Sequence, residues 1–351
     1  MTDQQTIAFR PELYLDLAPV REVKRRALME HKSQDPEDIW KSHEAMHRRR
    51  GAECGVGHAE AYSLVEAKPG CALLPVTFLK RSASATVPAA RSTDHPTRIS
   101  EAVRDEHSIL VHTVTSEYQA GKTAIRVLLP DTPSKGDHYP VVYVLPVEAK
   151  EENRYGDGLL EVWRNRLHHE FPAIFVSPTF SHLPWYADHP TDPEIRQESY
   201  LLKVVVPFVE SHYPVQAVPK GRLLLGYSKS GWGAYSLILR HPGIFFRAAA
   251  WDAPVMLDHP GAFGSGDIFG GQSNFEGYQV TKLLERHVSE LRERPRLALL
   301  GYGNFRSDHE TLHDILIDLK VPHAYEDGPQ REHTWGSGWV PGAVRWLVQG
   351  R

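Results

Sequence analysis

Residues 223–234 read LLLGYSKSGWGA. Three consecutive leucines are the pattern of a strand buried on both faces. Gly226-Tyr227-Ser228-Lys229-Ser230-Gly231 then sets small residues around one serine, and 231–241 has helical spacing. A strand that turns at once into a helix holds the serine at its tip in a strained conformation, with the hydroxyl beyond the sheet edge. The helix N-terminus behind it offers unpaired N–H groups to a developing negative charge. Ser228 is therefore the candidate nucleophile, and the Lys229 N–H is a candidate oxyanion donor. The stretch departs from G-x-S-x-G spacing once: Ser230 stands where the second glycine belongs, and Gly231 follows it.

Other short apolar runs surround this one. PVVYVL (140–145), AIFVS (173–177), AAAWD (248–252), RLALLG (296–301) and HAYE (323–326) read as strands. Helical patterns at 200–213, 231–241, 280–294 and 310–319 lie between them. Residues 108–116 and 123–129 flank a turn at Gln119-Ala120-Gly121 and read as an antiparallel pair. The expected fold class is α/β: a mostly parallel, doubly wound sheet preceded by an antiparallel strand pair, with its site beyond the carboxyl ends of the strands.

A serine hydroxyl is a weak nucleophile until a neutral imidazole takes its proton and a carboxylate orients that imidazole. In the α/β-hydrolase order the acid and then the histidine follow the serine. Asp308 lies at the junction between RLALLG and the next helix, and is the expected acid on ordering and loop position. Asp308 also suits a helix N-terminus, and Asp252, at the end of AAAWD, is the rival acid. His333, in the turn-rich GPQREHTW before the last helix, is the expected base.

Together these segments resemble the esterase D-like "putative esterase" branch of the α/β-hydrolases over residues 106–351. The resemblance implies the α/β-hydrolase fold and carboxyl-ester hydrolysis through an acyl-enzyme. That family's histidine is commonly followed two residues later by tryptophan, as His333 is by Trp335. It usually has His-Gly after the strand that here reads YVLP. Pro146-Val147-Glu148 stands there instead, and proline has no N–H. The remaining oxyanion donors would be Val147 and Glu148, and an inward Glu148 carboxylate would oppose an oxyanion. Trp185, Tyr186, Asp188, Trp232, Trp251 and Trp335 are candidates for the substrate pocket. For the Trp185–Asp188 stretch the alternative is a proline-anchored loop with capped turns.

Residues 1–79 are charged, read as a largely helical N-terminal extension, and end in the apolar run CALLPVTFL. Residues 80–105, rich in Ala, Ser, Thr and Pro, read as a linker. Pieces of 13–67, with Ser33-Gln34 and Ala59-Glu60-Ala61-Tyr62, resemble the C-terminal end of LmbE/PIG-L-type deacetylases without their metal motif. The resemblance implies a remnant with no metal chemistry.

The net charge of −4 and the absence of a basic run argue against nucleic acid as a partner. Two cysteines, Cys54 and Cys71, exclude a disulfide scaffold. No segment has the roughly 20 apolar residues of a membrane helix, and the default compartment is the cytoplasm. The expected partner is a small-molecule ester, with neither cofactor nor metal. Acyl transfer, thioester or amide cleavage on the same triad, and a non-catalytic binding protein on a hydrolase fold, stay open as alternatives.

Overall fold

The computed structural model describes residues 13–30, 36–62, 79–80, 97–131, 138–150 and 152–350. Its contacts divide the chain into two compact units, Met1–Thr93 and Asp94–Arg351.

In the first unit, β1 (Leu13–Asp16), α1 (Arg21–Met29), α2 (Pro36–Cys54), β2 (Ala59–Tyr62) and β3 (Leu79–Lys80) follow one another. The strands pair antiparallel in the order β2-β1-β3. The extension is thus only partly helical: Ala59-Glu60-Ala61-Tyr62, expected at a helix end, is a strand. Gly55, at φ +83°, ends α2 and turns the chain back, and the pairing that follows buries Tyr14 against Ala59. Glu44 accepts hydrogen bonds from Arg21 and His58, and Lys24 bridges Glu60 and His47. Ser33-Gln34 and the run 71–79, apart from Leu79, lie outside the described residues.

The second unit starts with β4 (Arg98–Ile99) and β5 (Val103–Arg104), inside the stretch expected as linker; both pair with β6 (Leu110–Thr115). Then come β7 (Lys122–Leu128), β8 (Val141–Val144), α3 (Gly158–Arg164), α4 (Leu167–Glu170), β9 (Ile174–Pro178), α5 (Gln197–Tyr200) and α6 (Val206–His212). The chain continues through β10 (Arg222–Tyr227), α7 (Ser228–Arg240), β11 (Arg247–Trp251), α8 (Gly266–Phe269), α9 (Gln272–Glu276) and α10 (Val280–Leu291). It closes with β12 (Leu297–Leu300), α11 (Arg306–Asp318), β13 (Ala324–Glu326) and α12 (Val340–Gln349).

The sheet order is β13-β12-β11-β10-β8-β9-β7-β6-β4. From β13 to β9 every neighbouring pair is parallel, and β7 and β6 join antiparallel. The fold class read from the sequence is the one observed.

The strand period of two sorts the core. Val141, Tyr143, Leu224, Ala248, Ala250 and Leu299 face α6, α7, α10 and α11. Val142, Val144, Leu223, Leu225, Ala249 and Ala298 face α3 and α12. Both faces are covered, which is why these strands read as continuous apolar runs rather than alternations. Each fully buried Val or Leu contributes about 1.5–3 kcal/mol relative to exposure. Among the described residues no helix is long and apolar enough to cross a membrane.

Candidate active site

β10 ends at Tyr227 and α7 starts at Ser228, three residues earlier than its spacing suggested. The turn between them has no loop residues, so Ser228 takes φ +52°, a left-handed conformation that costs an L-residue about 1–2 kcal/mol. Ser230 explains its own place here. Its hydroxyl accepts from the Tyr227 N–H at 3.0 Å and donates to the Tyr227 carbonyl at 2.9 Å, bonds a glycine could not make. Gly231 takes over the clearance role: a Cβ there would lie 2.8 Å from that of Ala253. Below the elbow, buried Glu198 holds the far end of α7 through Arg240 at 2.8 and 2.9 Å and His241 at 2.6 Å. Burial alone would raise the Glu198 carboxyl. The hydrogen bonds from His241 and Arg240 outweigh it and bring the group down to about 2.

The carboxylate on His333 is Asp252, not Asp308. His333 Nδ1 donates to Asp252 Oδ2 at 2.5 Å. Asp252 Oδ1 accepts the N–H groups of Asn304 and Phe305 at 2.6 and 2.7 Å. Burial pushes this carboxyl up, but His333 and the backbone of the 303–305 turn outweigh it and hold it below its ordinary range. The turn comes this close because residue 303 is glycine: a Cβ there would sit 2.6 Å from Asp252 Oδ2.

Asp308 faces elsewhere. Its Oδ2 accepts the Met256 N–H at 3.0 Å, and burial raises its carboxyl. The next residue, His309, accepts the Ala253 N–H on Nε2 at 3.0 Å. The first turn of α11 therefore holds the loop that follows Asp252. Proximity in sequence to the end of β12 placed Asp308 correctly, but β11 delivers its own terminal Asp252 straight to the His333 loop.

His309 gives the loop a pH signature. Burial pushes its imidazole down to about 4, whereas an unfolded histidine titrates near ~6.5. Between those values the unfolded chain binds more protons. Stability is therefore full above about 6.5 and falls as pH drops toward 4. His309→Gln keeps an acceptor for the Ala253 N–H and removes the titration, so its urea midpoint should decline less over that window than that of wild type. Equal declines would remove His309 as the cause.

His333 is caged by rings: Tyr227 at 4.8 Å, Tyr155 at 5.5 Å and Phe305 at 5.8 Å between centroids. The Ser228 hydroxyl has no hydrogen-bond partner among the described residues, His333 included. Such bonds commonly tighten only once substrate is bound. Tyr155 was not foreseen, because nothing in the loop sequence marks it.

The Pro146–Glu148 loop is anchored by the Tyr186 hydroxyl, which donates to the Pro146 carbonyl at 2.6 Å. In a trans peptide the carbonyl and the next N–H point oppositely, so this bond also fixes the direction of the Val147 N–H. Glu148 is 4% exposed, and its Oε2 accepts the Tyr155 N–H at 3.1 Å. Its charge thus faces the 154–155 loop. A cavity of about 260 Å³ opens beside it, lined by Val147, Glu148, Asn153, Thr179 and Trp335 among others.

Most expected pocket residues are core instead. Trp185, Tyr186 and Trp232 are fully buried in the cluster under α7. Trp251 stacks on Tyr227 at 5.5 Å, with Trp335 edge-on to it at 5.2 Å, as a floor under His333. Asp188 accepts from the Ser199 N–H at 2.9 Å and hydroxyl at 2.5 Å, which is the capped-turn reading of that stretch. Large aromatics near a strand end look alike from sequence whether they line a pocket or fill the layer beneath it. Among the described residues one group gathers closely enough for a metal ion, Asp131 with His168 and His169. It follows the far end of β7, away from Ser228.

Comparison with known proteins shows what the chain resembles. Residues 116–260 match the "putative esterase" family. The matched segment includes Ser228 and Asp252 and stops short of Asp308 and His333. Esterase Rv1288 of Mycobacterium tuberculosis (strain ATCC 25618 / H37Rv) is 26% identical over 140 residues, 38% of this chain and 29% of the relative. The chain thus spans under a third of that relative's length.

An S-formylglutathione hydrolase (FrmB) from Staphylococcus aureus superposes with a TM-score of 0.56 at 19% identity, over 69% of this chain and 98% of that one. An S-formylglutathione hydrolase from Agrobacterium tumefaciens gives 0.57 at 14%, over 72% and 99%. The unit Asp94–Arg351 has the α/β-hydrolase fold. The esterase likeness read from the sequence holds, while the deacetylase likeness of residues 13–67 is not borne out.

Proposed function

We propose that this unit is a serine hydrolase that cleaves a small carboxyl ester through an acyl-enzyme, with Ser228 as nucleophile, His333 as base and Asp252 as the acid that orients the base. The observation that carries this reading is the His333–Asp252 hydrogen bond at the end of β11, one strand over from the Ser228 elbow. With Nδ1–H held by Asp252, Nε2 carries the lone pair. It takes the Ser228 proton as Oγ attacks the ester carbonyl, then returns it to the departing alkoxide. Water repeats the sequence to release the acid. The oxyanion would lie against the Lys229 N–H, in the first turn of α7 where no intrahelical acceptor exists, and against the N–H of Val147 or Glu148.

A fluorophosphonate probe tests the nucleophile directly. Peptide mapping should place the label on Ser228 of wild type. No label, or a label on Ser230, whose hydroxyl is committed to the Tyr227 backbone, would sink the reading.

A further inference from the structure

Lys229 follows the candidate nucleophile, and its side chain has no place in the triad. It is 9% exposed, and an ammonium so buried is normally paired. This one makes no hydrogen bond or ion pair among the described residues. It is also not sealed from solvent, since Nζ is not among the fully buried polar atoms without partners. Its ring contact is the face of Tyr155, 5.9 Å away, the same ring that packs 5.5 Å from His333. The charge therefore ends beside the ring that packs against His333.

The carboxylate that Lys229 feels most, Glu148, is already used. One oxygen takes the Tyr155 N–H and the other lies 3.6 Å from Arg154 Nε. Arg154 also lies over Tyr155, at 4.7 Å, so two cations flank that ring. Burial lowers the Lys229 ammonium from its ordinary value, with Glu148 opposing and Arg154 reinforcing the shift. A buried, solvent-reachable cation with no partner among the described residues is open to an anion.

We infer that Lys229 receives a carboxylate carried by the substrate beside its scissile ester, which makes the preferred substrates anionic esters. The inference rests on the hydrolase reading and narrows it. The carboxylate can belong to the acyl part or to the alcohol part, and matched pairs separate the two. 4-Nitrophenyl hydrogen glutarate against 4-nitrophenyl pentanoate tests the acyl side. 4-Acetoxybenzoate against methyl 4-acetoxybenzoate tests the alcohol side.

In wild type, kcat/KM for the anionic member of one pair should exceed that of its neutral partner by about tenfold or more, the scale of a hydrogen bond to a charged group. The ratio should shrink as salt is raised. Lys229→Met should bring the ratio near one, and Lys229→Arg should keep it. Because the readout is a ratio within each variant, a general loss of activity does not mimic the effect. A wild-type ratio near one in both pairs, or a ratio unchanged in Lys229→Met, overturns the inference.

A second measurement is independent of turnover: calorimetric binding of glutarate and of 4-acetamidobenzoate. One of them should bind wild type and Lys229→Arg about tenfold more tightly than Lys229→Met, and equal affinities overturn the inference. If no ester is turned over in a Ser228-dependent way while this difference persists, the hydrolase reading falls and the anion site stands.

Discussion

Replacing Ser228 by alanine is expected to lower ester turnover by about 10⁶-fold, the scale at which losing the nucleophile disables a triad. The protein should remain folded, because the Ser228 hydroxyl bonds to nothing among the described residues and the turn is held by Ser230. The check is kcat on a simple nitrophenyl ester, with thermal unfolding followed in parallel. Turnover within tenfold of wild type in a folded variant would exclude Ser228 as the nucleophile.

Asp252→Asn should cost on the order of 10⁴ in kcat, because an amide no longer enforces the tautomer that leaves the lone pair on Nε2. The Asn304 and Phe305 N–H groups, now on Asp252 Oδ1, can still bond an amide oxygen, so the turn should keep its shape. Asp308→Asn is the control. Its amide oxygen can still accept the Met256 N–H, and kcat should stay within about tenfold. The opposite ranking of the two variants would return the acid to Asp308, and near-normal kcat in both would dismiss an Asp-dependent triad.

The fold was legible because a sheet covered on both faces writes itself as bare apolar runs, and the elbow because strand, small residues and helix follow without a gap. His333 was legible as the histidine in the last loop. The acid was not. Asp252 and Asp308 both end or follow a buried strand, and only the 303–305 backbone, wrapped around one carboxylate, separates them. The same limit affected the tryptophans, since residue type announces burial without saying against what. Lys229 was legible only as a candidate backbone donor, because the lack of a side-chain partner among the described residues is a property of the folded neighbourhood.

Ser228 and Asp252 share one more property. Tyr227 and Trp251 are register partners in β10 and β11, and the residue after each turns out of the sheet at positive φ, +52° and +46°. Neither residue is a glycine, so the native state carries a small conformational debt at two adjacent points, offset by the apolar layers on either side of the sheet. Glycine at position 228 would relieve one of these and leave no hydroxyl to react. The gain in backbone ease and the loss of the hydroxyl thus come with the same substitution, so a more stable Ser228→Gly variant would carry nothing at the elbow for an electrophile to label.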